Sequence, residues 1–206
     1  MNQIKTVCVY CGSGSGSNPR FAEAAIALGR IFAENQIRLV YGGGSVGLMG
    51  AVARSVLDHG GAVTGIIPEF LRAKENAMVG VQDMVITPDM HERKRLMFER
   101  SDAFVALPGG IGTLEELVEQ MTWQQLGRHT KPVLLANIDG FWEPFLKLID
   151  QQTPRDKQLH LIVDNYATHK HEKVKRWLKK HPRFHMHFTP TSSSWLNLIE
   201  RWFRQI

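Results

Sequence analysis

Short apolar runs alternate with longer amphipathic stretches along the first 150 residues of the chain. Each apolar run is typical of a strand buried on both faces, and each amphipathic stretch has the period of a surface helix. The runs predict strands at 4–10, 38–41, 62–67, 84–86, 103–107 and 133–137. The stretches predict helices at 19–35, 88–101, 114–126 and 141–150, and a further helix that residues 42–50 open and that ends at about residue 59. This alternation predicts an α/β fold with a parallel sheet.

The stretch from Pro108 to Glu116, PGGIGTLEE, joins one of these strands to a helix. Its glycines let the backbone approach an anion, and the unpaired N–H groups of the following helix point toward it. We expect Thr113 to cap this helix, with Glu115 and Glu116 in the first turn. A carboxylate beside a phosphate pocket can also act on a sugar held there, so the stretch indicates both binding and chemistry.

A second glycine-rich turn, at residues 42–50, follows the strand 38–41. Two strand-to-helix glycine turns in one parallel sheet suggest a shared crevice at the carboxyl ends of the strands. We therefore predict that residues 43–47 and 109–113 hold a phosphate together. The glycine spacing is not the dinucleotide fingerprint, and no acidic residue ends the second strand, so a nicotinamide cofactor is not predicted.

The charged helix predicted at 88–101 leaves two interpretations open. Arg93 and Lys94 lie in its second turn, where they either form a solvated face or reach a phosphate or ribose. The preceding loop, at 69–82, contains a further carboxylate, Glu75.

The two cysteines, Cys8 and Cys11, match the pattern C-x-x-C. Redox chemistry needs that motif at a helix N-terminus, whereas Cys8 lies inside a predicted strand and the offset points the two side chains to opposite faces. Core packing is the better interpretation. So few cysteines indicate a reducing compartment, and no further ligands lie near them to complete a zinc site.

Three motifs, in order, resemble those of the Lonely Guy (LOG) family over about residues 1–150: YGGG…GLMG at 41–50, MHERK at 90–94 and PGGIGTLEE at 108–116. These enzymes are cytokinin-activating nucleoside 5′-monophosphate phosphoribohydrolases, often mislabelled lysine decarboxylases. The resemblance implies a Rossmann-like sheet with helices on both faces, a homodimer, and neither metal nor cofactor. It also implies hydrolysis of the N-glycosidic bond of N6-modified AMP, which gives free base and ribose 5-phosphate.

The resemblance further implies roles for individual residues. Arg93 and Glu116 match the catalytic arginine and glutamate of the family. The substrate-binding positions that it implies are Glu75, Lys94, Gly110, Ile111, Gly112, Thr113, Leu114, Glu115 and Thr122, and the two glycine turns add Gly43, Gly44 and Gly109. Glycosidic cleavage passes through an oxocarbenium-like state. A carboxylate can either stabilise this cation or act as the general base that activates the attacking water. Which carboxylate performs which task stays open.

The last quarter of the chain differs in composition. Residues 1–153 carry 14 basic and 16 acidic side chains, a net charge of −2, whereas residues 154–206 carry 11 and 4, a net charge of +7. Such a shift suggests that the two parts have different origins. The segments LHLIVDNYATHK and FHMHFTPTSSSWLNLIERWF resemble the end of a mariner-like DDE insertion-sequence transposase.

This second resemblance matches Asp164 and Glu200 to the second and third metal-binding carboxylates, with 35 residues between them. The first aspartate has no counterpart, so the two-metal clamp cannot be assembled and no metal site is predicted. We therefore predict a nucleotide-hydrolysing domain at 1–152 and a truncated transposase-derived tail at 153–206 with the order strand, helix, strand, helix. We expect the strand at 159–163 to add in parallel to the main sheet, with the helix at 171–180 on one face.

Two classes of function follow. The first is an enzyme that cleaves AMP-like nucleotides and carries a passive tail. The alternative is a nucleic-acid-binding or transposition-related chimera with a degenerate, inactive enzyme domain, although the basic tail implies only weak, non-specific DNA binding. A minor third reading is a nucleotide or cofactor carrier, against which Arg93 and Glu116 argue. No apolar run approaches the ~18 residues of a membrane span, and we expect a cytoplasmic protein.

Overall fold

The computed structural model describes residues 4–152, 159–163, 178–179 and 182–188. Its strands are β1 (Thr6–Tyr10), β2 (Arg38–Tyr41), β3 (Val63–Pro68), β4 (Asp83–Thr87), β5 (Ala103–Ala106), β6 (Val133–Leu135), β7 (Leu159–Val163) and β8 (Phe184–Phe188). Its helices are α1 (Pro19–Glu34), α2 (Gly47–Asp58), α3 (Met90–Glu99), α4 (Ile111–Gln125) and α5 (Glu143–Gln152), with single 3₁₀ turns at Glu69–Leu71 and Ile138–Gly140.

Six strands form one sheet in the order β4-β3-β2-β1-β5-β6, and the pairings among β1 to β5 are all parallel. The predicted α/β class with a Rossmann-like parallel sheet is confirmed. The strand order reverses direction between β1 and β5, since β2 lies on one side of β1 and β5 on the other. In open α/β sheets, ligands bind in the crevice outside the carboxyl ends of the strands at such a switch point.

The core lies along β1 and its two neighbours. Cys8 and Phe104 are fully buried, and the rings of Tyr10 and Phe104 stack with their centroids 5.9 Å apart. Both cysteines are buried free thiols, so the packing interpretation of the C-x-x-C pattern is confirmed. Each large apolar side chain buried here contributes about 1.5–3 kcal/mol, which fixes the strand ends that carry the glycine turns.

The predicted start of α4 was wrong. The helix begins at Ile111 with Gly110 as its N-cap, and no side chain of the described residues caps it. Thr113 therefore lies inside the helix as a buried residue, and no acidic residue lies in the first turn. The extended backbone of Gly110, with φ of −88° and ψ of −157°, lets the helix begin directly after the glycines. As a result, Glu115 and Glu116 lie one turn deeper than expected.

The chain divides into two compact units, Met1–Val133 and Leu134–Ile206. In the second unit, Arg183 Nε donates to Asp150 Oδ1 at 2.7 Å, and both side chains are about nine-tenths buried. This ion pair joins α5 to the turn before β8. The predicted domain boundary at 152 stays a prediction.

The expected docking of the strand at 159–163 was wrong. Over the described residues, β7 pairs in parallel with β8 in a separate two-stranded sheet, with Leu159 opposite Phe184 and Val163 opposite Phe188. The physical reason is that β8 supplies a partner from the same segment, so β7 does not need an edge of the large sheet. The predicted helix at 171–180 lies outside the described residues, apart from 178–179.

Candidate functional site

Three loops meet at the carboxyl ends of β1, β2 and β5, and Gly12 joins them. Its N–H donates to Pro108 O at 3.1 Å, which links the first loop to the turn before α4. Its carbonyl accepts from Leu48 N at 3.1 Å and from Met49 N at 3.4 Å, which links the same loop to the start of α2. The structure therefore brings both glycine turns to the switch point of the sheet.

The turn before α4 leaves the helix start open. Among the described residues, no side chain caps α4, so its first N–H groups lie at the positive end of the helix dipole without a capping acceptor from that part of the chain. A Cβ on Gly110 or on Gly112 would meet no atom of the described residues within 4 Å, so these residues leave open space beside this backbone. Ile111 is 82% exposed at the same place. Backbone donors, positive potential and free space are what an anion such as phosphate requires.

The turn before α2 is built differently. The N–H groups of Leu48 and Met49 donate to Gly12, so the protein's own backbone occupies the start of this helix. Gly43 O accepts from Met78 N at 2.9 Å, and Ser45 N donates to Glu75 O at 3.2 Å, which ties the turn to the loop containing Glu75. Gly43 and Gly44 thus form part of the wall of the site, and α2 offers fewer free donors to a ligand than α4 does.

Arg93 on α3 and Glu116 on α4 form a buried ion pair. Arg93 Nη2 lies 3.6 Å from Glu116 Oε1, and the two residues are 7% and 8% exposed. The solvated-face interpretation of Arg93 is therefore wrong. Gly42 makes room for this arrangement, because a Cβ there would lie 2.3 Å from Arg93 Nη2. The buried Nε of Arg93 has no hydrogen-bond partner among the described residues.

Burial raises the pKa of Glu116 to about 7, from an ordinary value of 4.5. Arg93 opposes this rise, whereas the nearby carboxylates of Glu115 and Glu75 add to it, and Lys94 lowers it again. Near neutral pH the Glu116 carboxyl is thus present in both protonation states. A carboxyl with a pKa close to the working pH suits general acid–base chemistry.

Lys94 lies on the exposed side of the same helix pair. Its Nζ contacts Glu115 Oε1 at 2.7 Å and Glu119 Oε1 at 3.0 Å. Burial lowers the pKa of Lys94, but the hydrogen bonds to Glu115 and Glu119 outweigh that effect and raise it above its ordinary value. Sequence reasoning missed Glu119. Its spacing of four residues from Glu115, which places both on one helix face, was the signal that could have found it.

Glu75 lies within electrostatic reach of Glu116, and its Oε2 is buried with no hydrogen-bond partner among the described residues. The structure therefore brings Glu75, Arg93 and Glu116 together beside the glycine turns. Thr122 lies apart from them. It is exposed, its hydroxyl donates to Val118 O at 2.7 Å, and it sits about 10 Å further along α4 than Glu115.

The remaining predicted positions lie at or near the start of α4. Gly109 and Gly110 precede it, Gly112 is exposed in its first turn, and Leu114 N donates to Gly110 O at 3.1 Å as α4 begins. Among the described residues, no group of three or more His, Cys, Asp or Glu side chains is arranged to hold a metal ion. Within the same residues, no helix has the length and apolar character needed to cross a membrane.

A protein-family model described as "possible lysine decarboxylase" matches residues 49–173. The match continues past the predicted boundary at 152.

Two curated plant proteins are similar to this chain. A protein of Oryza sativa subsp. japonica, named "Probable cytokinin riboside 5'-monophosphate phosphoribohydrolase LOGL1", is 44% identical over 191 residues, covering 91% of this chain and 84% of that protein. "Cytokinin riboside 5'-monophosphate phosphoribohydrolase LOG7" of Arabidopsis thaliana is 50% identical over 150 residues, covering 73% of this chain and 69% of that protein.

Among solved structures, the molybdenum cofactor binding protein of the phototrophic bacterium Rippkaea orientalis has a similar fold. The two superpose with a TM-score of 0.60 at 24% identity, over 86% of this chain and 99% of that one. At this identity the likeness concerns the fold alone.

Proposed function

Since the chain belongs to the LOG family of cytokinin riboside 5′-monophosphate phosphoribohydrolases, we propose that it hydrolyses the N-glycosidic bond of AMP and N6-modified AMP. The products are the free base and ribose 5-phosphate. The observation that carries the proposal is the buried pair of Arg93 and Glu116 beside the uncapped start of α4. The relatives' names support the reaction, and the geometry supports the assignment of residues.

In this proposal the 5′-phosphate binds the first N–H groups of α4, next to Gly110 and Gly112. Glu116 lies about one turn further along the helix, which suits a group placed at C1′ of the ribose. Its ionised carboxylate stabilises the developing oxocarbenium or takes a proton from the attacking water. Arg93 holds Glu116 and offers an oxygen of the substrate its Nε, which has no hydrogen-bond partner among the described residues. Glu75 binds the substrate from its own loop.

The direct test is to incubate the purified protein with AMP, N6-isopentenyl-AMP and adenosine, and to separate the products by liquid chromatography. We expect free base from the two nucleotides and far less from adenosine, because adenosine lacks the phosphate that α4 binds. Equal turnover of AMP and adenosine would contradict the phosphate site, and no base release from either nucleotide would contradict the reaction.

We also propose a homodimer in the cytoplasm, as the family resemblance implies. The outward face of α4 supports the dimer, since Ile111 is 82% exposed, Val118 41% and Leu126 76%, and Thr122 lies on this helix. A second copy packed there would cover apolar surface. Light scattering after size-exclusion chromatography gives the oligomeric state, and a monomer at micromolar concentration would contradict this proposal.

For residues 153–206 we propose an origin in a DDE transposase without strand-transfer or nuclease activity. The two segments quoted above and the net charge of +7 support it; Asp164 and Glu200 lie outside the described residues. The competing hypothesis is that the chimera acts on DNA. Nicking of plasmid DNA in Mg²⁺ that disappears in Asp164→Ala would contradict the inactive tail, whereas weak binding lost at moderate salt would agree with it.

A further inference from the structure

Met90 is the first residue of α3 and contacts the guanidinium of Arg93. The two residues are three positions apart, so their side chains share one face of the helix. Arg93 Nη1 donates to Met90 Sδ at 3.7 Å, a normal length for a hydrogen bond to sulfur, in a partly buried setting.

The other surroundings of the guanidinium hold it in one place. Nη2 lies 3.6 Å from Glu116 Oε1, and Gly42 leaves room for it, because a Cβ on Gly42 would lie 2.3 Å from Nη2. Met49 Sδ also lies against Gly42, 3.1 Å from where a Cβ would be. Nε has no partner among the described residues. The guanidinium is thus taken out of water and held by one carboxylate and by a sulfur.

We propose that Met90 is a positioning residue, whose thioether orients the Arg93 guanidinium toward Glu116 and the substrate without neutralising it. The inference rests on the proposed function, since it concerns the same site. A carboxylate at this position would pair with Arg93 and cancel the charge it offers to an anionic substrate. An aliphatic side chain would fill the space but would offer no hydrogen-bond acceptor to orient the guanidinium. A thioether packs well, because it is neutral and polarisable, and its sulfur is also a weak acceptor that can orient the guanidinium.

Two substitutions of similar size separate orientation from packing. Met90→Leu keeps the apolar volume and removes the acceptor, whereas Met90→Gln keeps a neutral acceptor on an unbranched chain. We expect Met90→Leu to lower kcat for AMP by about fivefold to tenfold with little change in KM, and Met90→Gln to stay within about twofold, because misplacing a catalytic group lowers the rate of the chemical step. If Met90 only fills space, Met90→Leu should keep a higher kcat than Met90→Gln, and that result would overturn the proposal.

Met97→Leu is the matched control. Met97 lies on the same helix, is 1% exposed and belongs to the core cluster with Phe104. It therefore reports what the loss of a buried sulfur on α3 does to the protein as a whole. A loss of kcat in Met97→Leu as large as in Met90→Leu would overturn the proposal.

A second readout does not depend on turnover. Arg93 lowers the pKa of Glu116, so a guanidinium that is held less firmly should let that pKa rise. The charged and titratable groups that act on or are affected by Glu116 are Arg93 and Lys94 from α3, Glu115 from α4, Glu75 from its loop, Cys8 and Tyr10 from β1, and Cys11 directly after β1. Met90→Leu changes none of these groups, so a change in the pKa of Glu116 would result from a change in the position of Arg93.

The folded-state pKa of Glu116 is read from the difference in free energy of unfolding between each protein and its Glu116→Gln derivative, measured at pH 5 to 9. Because the folded-state pKa is raised, the stability that Glu116 contributes is full below its unfolded pKa near 4.5, falls as the pH rises, and is fully lost above about 7, where the difference levels off. We expect Met90→Leu to raise the pH at which the difference levels off by about half a pH unit, and Met90→Gln and Met97→Leu to leave that pH unchanged. If that pH stays the same in Met90→Leu, the proposal is overturned. Absence of AMP hydrolysis by the wild type would instead sink the proposed function, and the titration would still decide the role of Met90.

Discussion

The turns before α2 and before α4 look alike in sequence, but they differ in how the first N–H groups of the helix that follows are hydrogen-bonded. Both follow parallel strands at the switch point, and both contain three or more glycines. At α2, two N–H groups of the first turn donate to the carbonyl of Gly12. At α4, no side chain from the described part of the chain caps the helix, and a Cβ on Gly112 would meet none of its atoms within 4 Å.

The difference shows that a glycine-rich turn has two separate uses. At the first turn, glycine allows protein to pack against protein: Gly47 has φ of +58°, and a Cβ there would lie 2.3 Å from the Ser13 carbonyl. At the second, glycine keeps space clear beside backbone donors that have no capping partner among the described residues. We therefore expect the first turn to shape the candidate site and the second to bind the ligand. The following experiments test this division.

The largest effect should come from the buried pair of Arg93 on α3 and Glu116 on α4, which we propose acts on the substrate. We expect Glu116→Gln and Arg93→Ala each to lower kcat/KM for AMP by about 100-fold or more, the usual scale for a positioned acid–base group. Glu99→Gln is a suitable control, because Glu99 lies in an exposed ion pair with Arg95 on the same helix as Arg93. Rates that stay unchanged in well-folded variants would remove this pair from the mechanism.

Gly47→Ala should disrupt the α2 turn and with it the fold. The left-handed backbone and the contact with Ser13 together should cost about 2 kcal/mol or more of the free energy of unfolding, measured by urea denaturation. Two matched variants separate the causes. Gly60→Ala adds a Cβ at φ of +74° with nothing within 4 Å, so it reports backbone strain alone. Gly112→Ala has neither strain nor contact and should leave stability unchanged or slightly higher.

A negative charge in the first turn of α4 should weaken phosphate binding. We expect Gly112→Asp to raise KM for AMP about tenfold, because like charges repel, while the acidic residue remains compatible with a helix N-terminus. Val46→Asp places the same charge at the start of α2, where the backbone donors are already used, and should change KM much less. If both variants raise KM equally, the two turns share the phosphate as the sequence first suggested.

The smallest effect concerns pH. Glu116 acts as the ionised group in our proposal and has a pKa of about 7, so kcat/KM should rise with pH to a plateau above 7. Between pH 7 and pH 6 it should fall about fivefold, as expected for one titrating group near its pKa. Initial rates measured across this pH range at saturating and at limiting AMP test this decrease. A rate that instead falls above pH 7 would show that neutral Glu116 acts as the acid.

Sequence patterns predicted much of this arrangement. The apolar runs placed all six strands of the large sheet within a few residues, because strands buried on both faces need continuous apolar stretches. The motif around Glu116 marked the helix start, and the motif MHERK marked Arg93. The pattern could not decide whether Arg93 was solvated, since its charged neighbours on α3 favour an exposed face. Its burial depends on Gly42 and Glu116, which are distant in sequence.

What the sequence by itself determined is the fold class, the family and the identity of the chemical groups, because these follow from local periodicity and short motifs. Only the tertiary structure decided that Gly12 accepts from the first turn of α2, whereas among the described residues no side chain caps α4. Tertiary contacts likewise decided that Glu116 titrates near neutral pH and that Lys94 is shared by Glu115 and Glu119. They also paired β7 with β8 instead of the large sheet, because strand pairing is chosen among all available partners and no single stretch of sequence specifies it.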